Sequence, residues 1–245
     1  MELRGRTALV TGAGRRVGQA IAVALGGRGA RVAVHYHASD DGARDTLARI
    51  ERVGGEGWLV QADLSRAEAP DRLIEDVVSR AGTLDVLVNS AAVMLRTPLE
   101  SVTVAQWDEM FALNLRAPFF CAVAAGRAMR AGGAQGGVII NIADLAGLEA
   151  WPAYVPHGIT KAGVIHMTES LARVLAPSIR VNAIAPGAVL LPDNFSPADA
   201  ERLASTTPLR RIGSPDDVSH AVVFLIEADY VTGETLIVDG GRHVR

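Results

Sequence analysis

Cysteine is nearly absent from this sequence: Cys121 is the only one among 245 residues. One thiol cannot build a disulfide framework within the chain, and a reducing cytoplasm is the compartment that fits. Cys121 stands in the apolar run 117–125, where a buried, inert thiol is expected rather than a nucleophile. An excess of charge of either sign is also missing. Lys and Arg number 24 against 27 Asp and Glu, for a net charge of −3. No basic stripe stands out, which argues against nucleic acid as a partner. No apolar run approaches the roughly 20 residues that cross a bilayer. The short charged start, residues 1–6, lacks the apolar stretch of a signal peptide. Internal repeats and Pro- or Ser-rich linkers are absent too, so residues 1–245 read as a single domain.

What is present is a compact, soluble composition, 49% hydrophobic and 21% charged, in a chain of the length that doubly wound α/β domains often reach. Short apolar runs predict strands at 7–11, 31–36, 58–61, 85–88, 138–142, 179–184 and 235–238. Helical periodicity fills the intervals, predicting helices at 17–25, 43–53, 70–80, 104–130, 158–176 and 216–227. The stripe Leu73, Ile74, Val77 and Val78 is typical of them. Regular alternation of strand and helix specifies parallel βαβ units with right-handed crossovers. The expected fold is α/β: one Rossmann-type, doubly wound parallel β-sheet with helices on both faces. One longer irregular segment, 188–196, carries Pro192 and is expected to act as a lid beside a ligand crevice.

Between the first strand and the first helix lies Thr11-Gly12-Ala13-Gly14-Arg15-Arg16-Val17-Gly18. In that context glycines let the backbone approach a pyrophosphate, and the helix N-terminus offers free N–H donors to the anion. A dinucleotide is the expected ligand. The end of the second strand decides which one. Binders of NAD place an acid there for the ribose 2′-hydroxyl. This chain has His35-Tyr36-His37-Ala38-Ser39, with no acid before Asp40. Arg15, Arg16, His37 and Ser39 offer cations and donors to a 2′-phosphate, so NADPH (or NADP+) is the expected cofactor. His35 and His37 share one side of a strand, but no third or fourth ligand accompanies them, and no metal is expected.

These motifs resemble the short-chain dehydrogenases/reductases over nearly the whole chain. The glycine turn is similar to that family's TGxxxGxG, with Arg16 where the middle glycine usually sits, as in the pteridine-reductase-like branch. The His35-Tyr36-His37-x-Ser39 stretch looks like that branch too. By the same resemblance Asp63 and Leu64 contact the adenine side. Asn89-Ser90-Ala91-Ala92 stands for the family's NNAG, and Pro186-Gly187 lies beside the nicotinamide. Asn114 corresponds to the asparagine that holds a proton-relay water. The resemblance also implies a homotetramer, with the helices at 104–130 and 158–176 packed between subunits.

At the catalytic positions the chain departs from the pattern of Ser, then Tyr thirteen residues on, then Lys four further. Lys161 anchors the alignment; His157 stands where the tyrosine belongs and Asp144 where the serine belongs. An Asp there again resembles pteridine reductases, whereas a His for the Tyr is unusual. Tyr154 is three residues early. Independently of resemblance, His157 and Lys161 are i and i+4 on one helix face, and Asp144 ends the fifth strand at the ligand-binding edge. With the resemblance added, the implied catalytic set is Asn114, Asp144, His157 and Lys161, with Met94 and Tyr154 as substrate contacts. The expected activity is NADPH-dependent reduction of a C=O or C=N bond in a small substrate. A pterin is implied only by resemblance, and Met94 replaces the aromatic that stacks on it, so a ketone or 3-oxoacyl compound stays open. The alternative is a cofactor-binding protein without turnover, since the tyrosine is missing.

Overall fold

The computed structural model describes residues 1–132, 136–191 and 195–244. Strands β1 (Thr7–Val10), β2 (Arg31–Tyr36), β3 (Glu56–Gln61), β4 (Val86–Asn89), β5 (Gly137–Ile142), β6 (Ile179–Pro186) and β7 (Thr235–Val238) form one sheet. Its order is β3-β2-β1-β4-β5-β6-β7, and every pairing is parallel. The order reverses between β1 and β4, and ligands of such sheets bind outside the carboxyl ends of the strands at that reversal.

Helices cover both faces. On one lie α1 (Arg16–Gly27), α2 (Asp40–Arg52) and α8 (Pro215–Glu227), with Ile21, Leu25, Ile50 and Val222 packed on Val10, Val34 and Val88. On the other lie α3 (Ala69–Ala81), α5 (Ala117–Ala131) and α6 (Val155–Leu175), with Leu73, Val77, Cys121 and Leu171 packed on Leu9, Leu87 and Ile139. Each such aliphatic side chain contributes about 1.5–3 kcal/mol by leaving water. The ends are set locally. Ser214 and Asp217 form a capping box ahead of α8, and Gly82, left-handed at φ 81°, stops α3. Among the described residues no helix is long and apolar enough to cross a membrane.

Besides shifts of up to three residues at other element ends, such as α2 starting at Asp40 and not at 43, three differences from expectation stand out. The helix expected over 104–130 is interrupted: α4 (Val104–Phe111) runs into a π-helical turn, Ala112–Arg116, before α5 begins. Pro118 supplies a reason, since it has no N–H to donate to the carbonyl four residues back, at Asn114, and its ring crowds that carbonyl. Such turns recur at functional sites, and Asn114 sits buried within this one. A further helix, α7 (Pro197–Thr206), was not expected. None of its residues is buried, so it leaves no apolar stripe to read. Helix α6 starts at Val155, not 158, and so includes His157. Of the segment expected to form a lid, residues 192–194 lie outside the described residues.

Candidate active site

The glycine turn is held from two sides. Thr11 Oγ1 accepts from Ser90 N at 2.9 Å and Ala91 N at 3.1 Å, strapping the turn to the loop after β4. Gly12, left-handed at φ 65°, comes so close to that loop that a Cβ on it would lie 2.8 Å from Ala91 Cα. Gly18 packs against the Gly12 carbonyl, and Val17 borders the core below α1. Arg16 is itself left-handed, at φ 56°, which is why glycine is usual at this place in the motif. Its guanidinium donates to Leu190 O at 3.0 Å. Arg15 is exposed, and its side chain forms no hydrogen bond or ion pair among the described residues. Helix α1 has no side-chain cap and no acid in its first turn, so its leading N–H groups are open to an anion.

Beside the turn lies the end of β2. Ser39 touches Gly14; a Cβ there would lie 3.1 Å from Ser39 O. The first acid after β2, Asp40, is engaged by Arg44 Nε at 2.7 Å, and this pairing together with the Tyr36 hydroxyl lowers its pKa. Tyr36 is raised in turn, chiefly by its hydrogen bond to Asp40. His37 is exposed, with Nε2 4.0 Å from Asp63 Oδ2. Asp63 accepts from Ser65 N and Oγ at 3.0 and 2.6 Å, and its pKa is lowered, most by the hydroxyl. Leu64 is a core side chain, so only its backbone is left to serve the adenine side. His35 shares no ligand geometry with His37: its Nδ1 accepts from Gly12 N at 3.0 Å and its Nε2 meets Ala62 O at 3.1 Å.

The second half of the site gathers at the ends of β4, β5 and β6. The Asn89 Nδ2 is engaged within the protein. It donates to Asn141 Oδ1 at 2.9 Å, its register partner on β5, and Asn141 donates to Thr168 at 2.9 Å. Asp144 lies two residues beyond β5 and caps the short 3₁₀ turn Leu145–Gly147, its Oδ1 accepting from Ala146 N at 2.8 Å. Its Oδ2 stands 3.7 Å from His157 Nε2. His157 is buried, 2% exposed. Lys161 is buried too; its Nζ donates to Ile142 O at 2.8 Å, and burial pushes its pKa down to about 8, partly offset by Asp144. A surface-lysine role is thereby excluded. Gly147 allows the approach, since a Cβ there would lie 2.7 Å from the Lys161 carbonyl carbon. Gly187 follows Pro186 at the end of β6 and packs equally close on Asp239.

Asn114 organises this half. Its Oδ1 accepts from Val93 N and its Nδ2 donates to Val93 O, both at 2.8 Å. That double bond fixes which way the amide points. Nδ2 therefore also faces Thr160 Oγ1 at 3.3 Å and His157 Nδ1 at 3.5 Å. Opposite an N–H, Nδ1 is the acceptor, so the neutral ring carries its hydrogen on Nε2. Nε2 has no hydrogen-bond partner among the described residues. Tyr154, which precedes α6, stands edge-on to Trp151 at 6.3 Å between ring centres. Met94 is about half exposed.

Thr11, His35, Asn141 and Thr160 support the site; from the sequence Thr11 and His35 read only as parts of the cofactor motifs, and Asn141 and Thr160 have no role. Asn141 carried a signal: a polar side chain inside the apolar strand 138–142 must find a buried partner. Thr160 and His35 carried none for these contacts, because Asn114 and Gly12, the groups they meet, are distant in sequence.

Fold and site define a dinucleotide-binding α/β oxidoreductase. The chain belongs to the short-chain dehydrogenase/reductase family: the family model described as enoyl-(acyl carrier protein) reductase matches residues 12–243. It is 37% identical over 248 residues to 3beta-hydroxysteroid dehydrogenase 1 of Eggerthella lenta, covering 98% of this chain and 94% of that protein. It is 36% identical over 244 residues to the 3-oxoacyl-[acyl-carrier-protein] reductase FabG of Staphylococcus aureus, covering 98% of both. Among solved structures, the angucycline C-6 ketoreductase LanV with bound NADP superposes with a TM-score of 0.90 at 35% identity, covering 100% of this chain and 98% of that one. A dehydrogenase/reductase from Sinorhizobium meliloti 1021 superposes at 0.92 with 35% identity, covering 99% and 98%.

Proposed function

We propose that this protein is an NADPH-dependent ketoreductase in which His157 replaces the tyrosine as hydrogen donor. The observation that carries this reading is the buried, unpartnered Nε2 of His157, whose hydrogen is assigned by Asn114 and faces Asp144. The glycine cradle at Gly12, Gly14 and Gly18 fits a dinucleotide, since side chains there would fill it. Arg15 is uncommitted and Asp40 is neutralised by Arg44, which together favour a 2′-phosphate. When bound, the cofactor supplies a hydride. Neutral His157 offers its Nε2–H as a hydrogen bond to the carbonyl oxygen as negative charge develops there. Asp144 orients the substrate and faces the ring. Lys161 would hold the ribose hydroxyls and, its pKa pushed down by burial to about 8, its ammonium supplies the proton that completes the alcohol.

The loops after β4 and β5, the start of α6 and the loop after β6 present exposed apolar side chains: Met94, Leu148, Val155 and Leu190. They favour a ketone on an apolar ring or chain. Relatives are described as acting on a steroid, an angucycline and a 3-oxoacyl group, in keeping with such a carbonyl. Arg16 and Asp144 favour a second reading, a pterin, through the pteridine-reductase-like pattern. Apolar exposure of Trp107, Phe119 and Phe120 on α4 and α5, beside a cavity of about 790 Å³ lined by Phe111, Leu115 and Met167, supports a homo-oligomer. A single buried Cys121 suits a reducing cytoplasm.

The test follows NADPH absorbance with a steroid ketone, a 3-oxoacyl thioester and a dihydropterin. Turnover with an apolar ketone is expected. His157→Ala should lose about 10²–10³-fold in kcat, the usual worth of one donor to a developing oxyanion, with NADPH affinity kept. His157→Tyr should retain activity. If the parent binds NADPH yet oxidises it with no substrate, the protein is a cofactor-binding protein without turnover.

A further inference from the structure

We infer that His35, at the buried end of β2, is a positioning residue for the glycine turn, and that it sets the affinity for the pyrophosphate common to both nicotinamide dinucleotides. The inference rests on the cofactor reading above. Two successive N–H groups of the turn are taken by this one residue: Gly12 N by the ring Nδ1 at 3.0 Å and Ala13 N by the backbone carbonyl at 2.8 Å. At φ 65°, Gly12 has its N–H turned to β2 and its Cα against Ala91, so the bond to Nδ1 fixes the peptide from which the cradle starts. On its far side the same ring meets Ala62 O at 3.1 Å, just beyond β3. One rigid, planar side chain therefore spaces three segments: the glycine turn, β2 and the end of β3.

The two bonds demand the same tautomer. Nδ1 must accept and Nε2 must donate, which only the neutral ring with Nε2–H satisfies. An aliphatic side chain here leaves the Gly12 N–H and the Ala62 carbonyl without partners, and the turn is free to rotate at a glycine, the residue least able to resist it. His35 bonds to Gly12 and Ala13, the start of the turn read as the pyrophosphate cradle, whereas Arg15, His37 and Ser39 are the residues read as taking the 2′-phosphate. Loss of His35 should therefore weaken NADPH and NADH alike.

The experiment compares His35→Leu, His35→Asn and His35→Gln by fluorescence titration with NADPH and with NADH. Asn keeps an acceptor near the position of Nδ1, toward Gly12 N, and Gln a donor near the position of Nε2, toward Ala62 O. Expected is a rise of at least tenfold in both Kd values for His35→Leu, by the same factor, so that their ratio is unchanged. His35→Asn should recover to within threefold of the parent, and His35→Gln should not. If His35→Leu does not fold, as read by circular dichroism, the Asn–Gln contrast decides alone. His35→Gln binding like the parent, or a loss confined to NADPH, overturns the role of His35 while leaving the cofactor reading intact. A parent protein that binds neither dinucleotide overturns both.

Discussion

Asp144 Oδ2 and His157 Nε2 face each other at 3.7 Å, within reach of an ion pair but beyond a hydrogen bond. The other oxygen of Asp144 is engaged as a cap, accepting from Ala146 N at 2.8 Å. One carboxylate thus holds a turn and presents charge to the ring. Asp144→Asn keeps the cap and removes the charge; Asp144→Ala removes both. The Asn variant should lose at least tenfold in kcat with its melting temperature nearly unchanged, while the Ala variant should also lose about 1 kcal/mol of stability. Equal kcat in the parent and the Asn variant would show that the charge facing His157 does no chemical work.

Lys161 should trade stability for function. Burial pushes its pKa down to about 8 from 10.5, so the fold favours the neutral amine. The stability this group contributes is present above pH 10.5 and is lost as pH falls through 8. Below that, a buried charge costs up to about 3 kcal/mol, less about 1 kcal/mol for the bond to Ile142 O. Lys161→Met carries no charge, so without cofactor it should melt several degrees higher than the parent at pH 7. The gain should vanish toward pH 10.5. Turnover and NADPH affinity should fall. A Met variant that melts lower at pH 7 contradicts the account.

Cofactor choice should turn on Arg15. It is the cation of the turn with no partner among the described residues, whereas Arg44 is tied to Asp40 and Arg16 to Leu190. Arg15→Ala should weaken NADPH at least tenfold, about 1.4 kcal/mol, and leave NADH unaffected. Tyr36→Asp should move preference the other way by repelling the phosphate and offering an acceptor to a 2′-hydroxyl. Titration of both cofactors checks the pair; an unchanged ratio in Arg15→Ala removes the guanidinium from the phosphate site.

How far these features can be read without coordinates depends on how local they are. Strands β1, β2 and β5 come within about a residue of expectation, because apolar runs bounded by glycine or charge are local signals. His157 and Lys161 share a face by spacing alone. The facing of Asp144 and His157 is different: a turn of variable shape separates them, and only family resemblance suggested it. The π turn hid behind unbroken helical periodicity, with Pro118 as its single mark. Gly12 meets His35 across two strands, a pairing that neither period nor motif encodes.

Cys121 should be chemically silent in the folded protein. It is fully buried between α5 and the sheet, and burial pushes its thiol up to about 12. The thiolate is the reactive form, so iodoacetamide at pH 8 should leave the native chain unmodified and label it fully in guanidinium. Cys121→Ala should keep activity. Stoichiometric labelling of folded protein contradicts the burial.

Asn114→Asp should change the chemistry of His157 without touching it. The native amide donates to Val93 O and accepts from Val93 N, and the same Nδ2 faces His157 Nδ1. A carboxylate at that place still accepts from Val93 N, but it offers no hydrogen to the carbonyl or to the ring. Facing an acceptor, Nδ1 is stabilised with a hydrogen of its own. In the neutral ring that strips Nε2, leaving a lone pair toward Asp144 and nothing to donate to a substrate oxygen. An orienting residue that selects the wrong tautomer can cost orders of magnitude in kcat while geometry survives, as in the serine-protease triad. The Asp variant should therefore fold and bind NADPH, lose at least a hundredfold in kcat, and show His157 protonated at Nδ1 in its ¹⁵N NMR shifts. The parent should show Nε2–H. If the parent already carries its hydrogen on Nδ1, the amide does not direct the ring, and the donor must be sought at Lys161 or Tyr154.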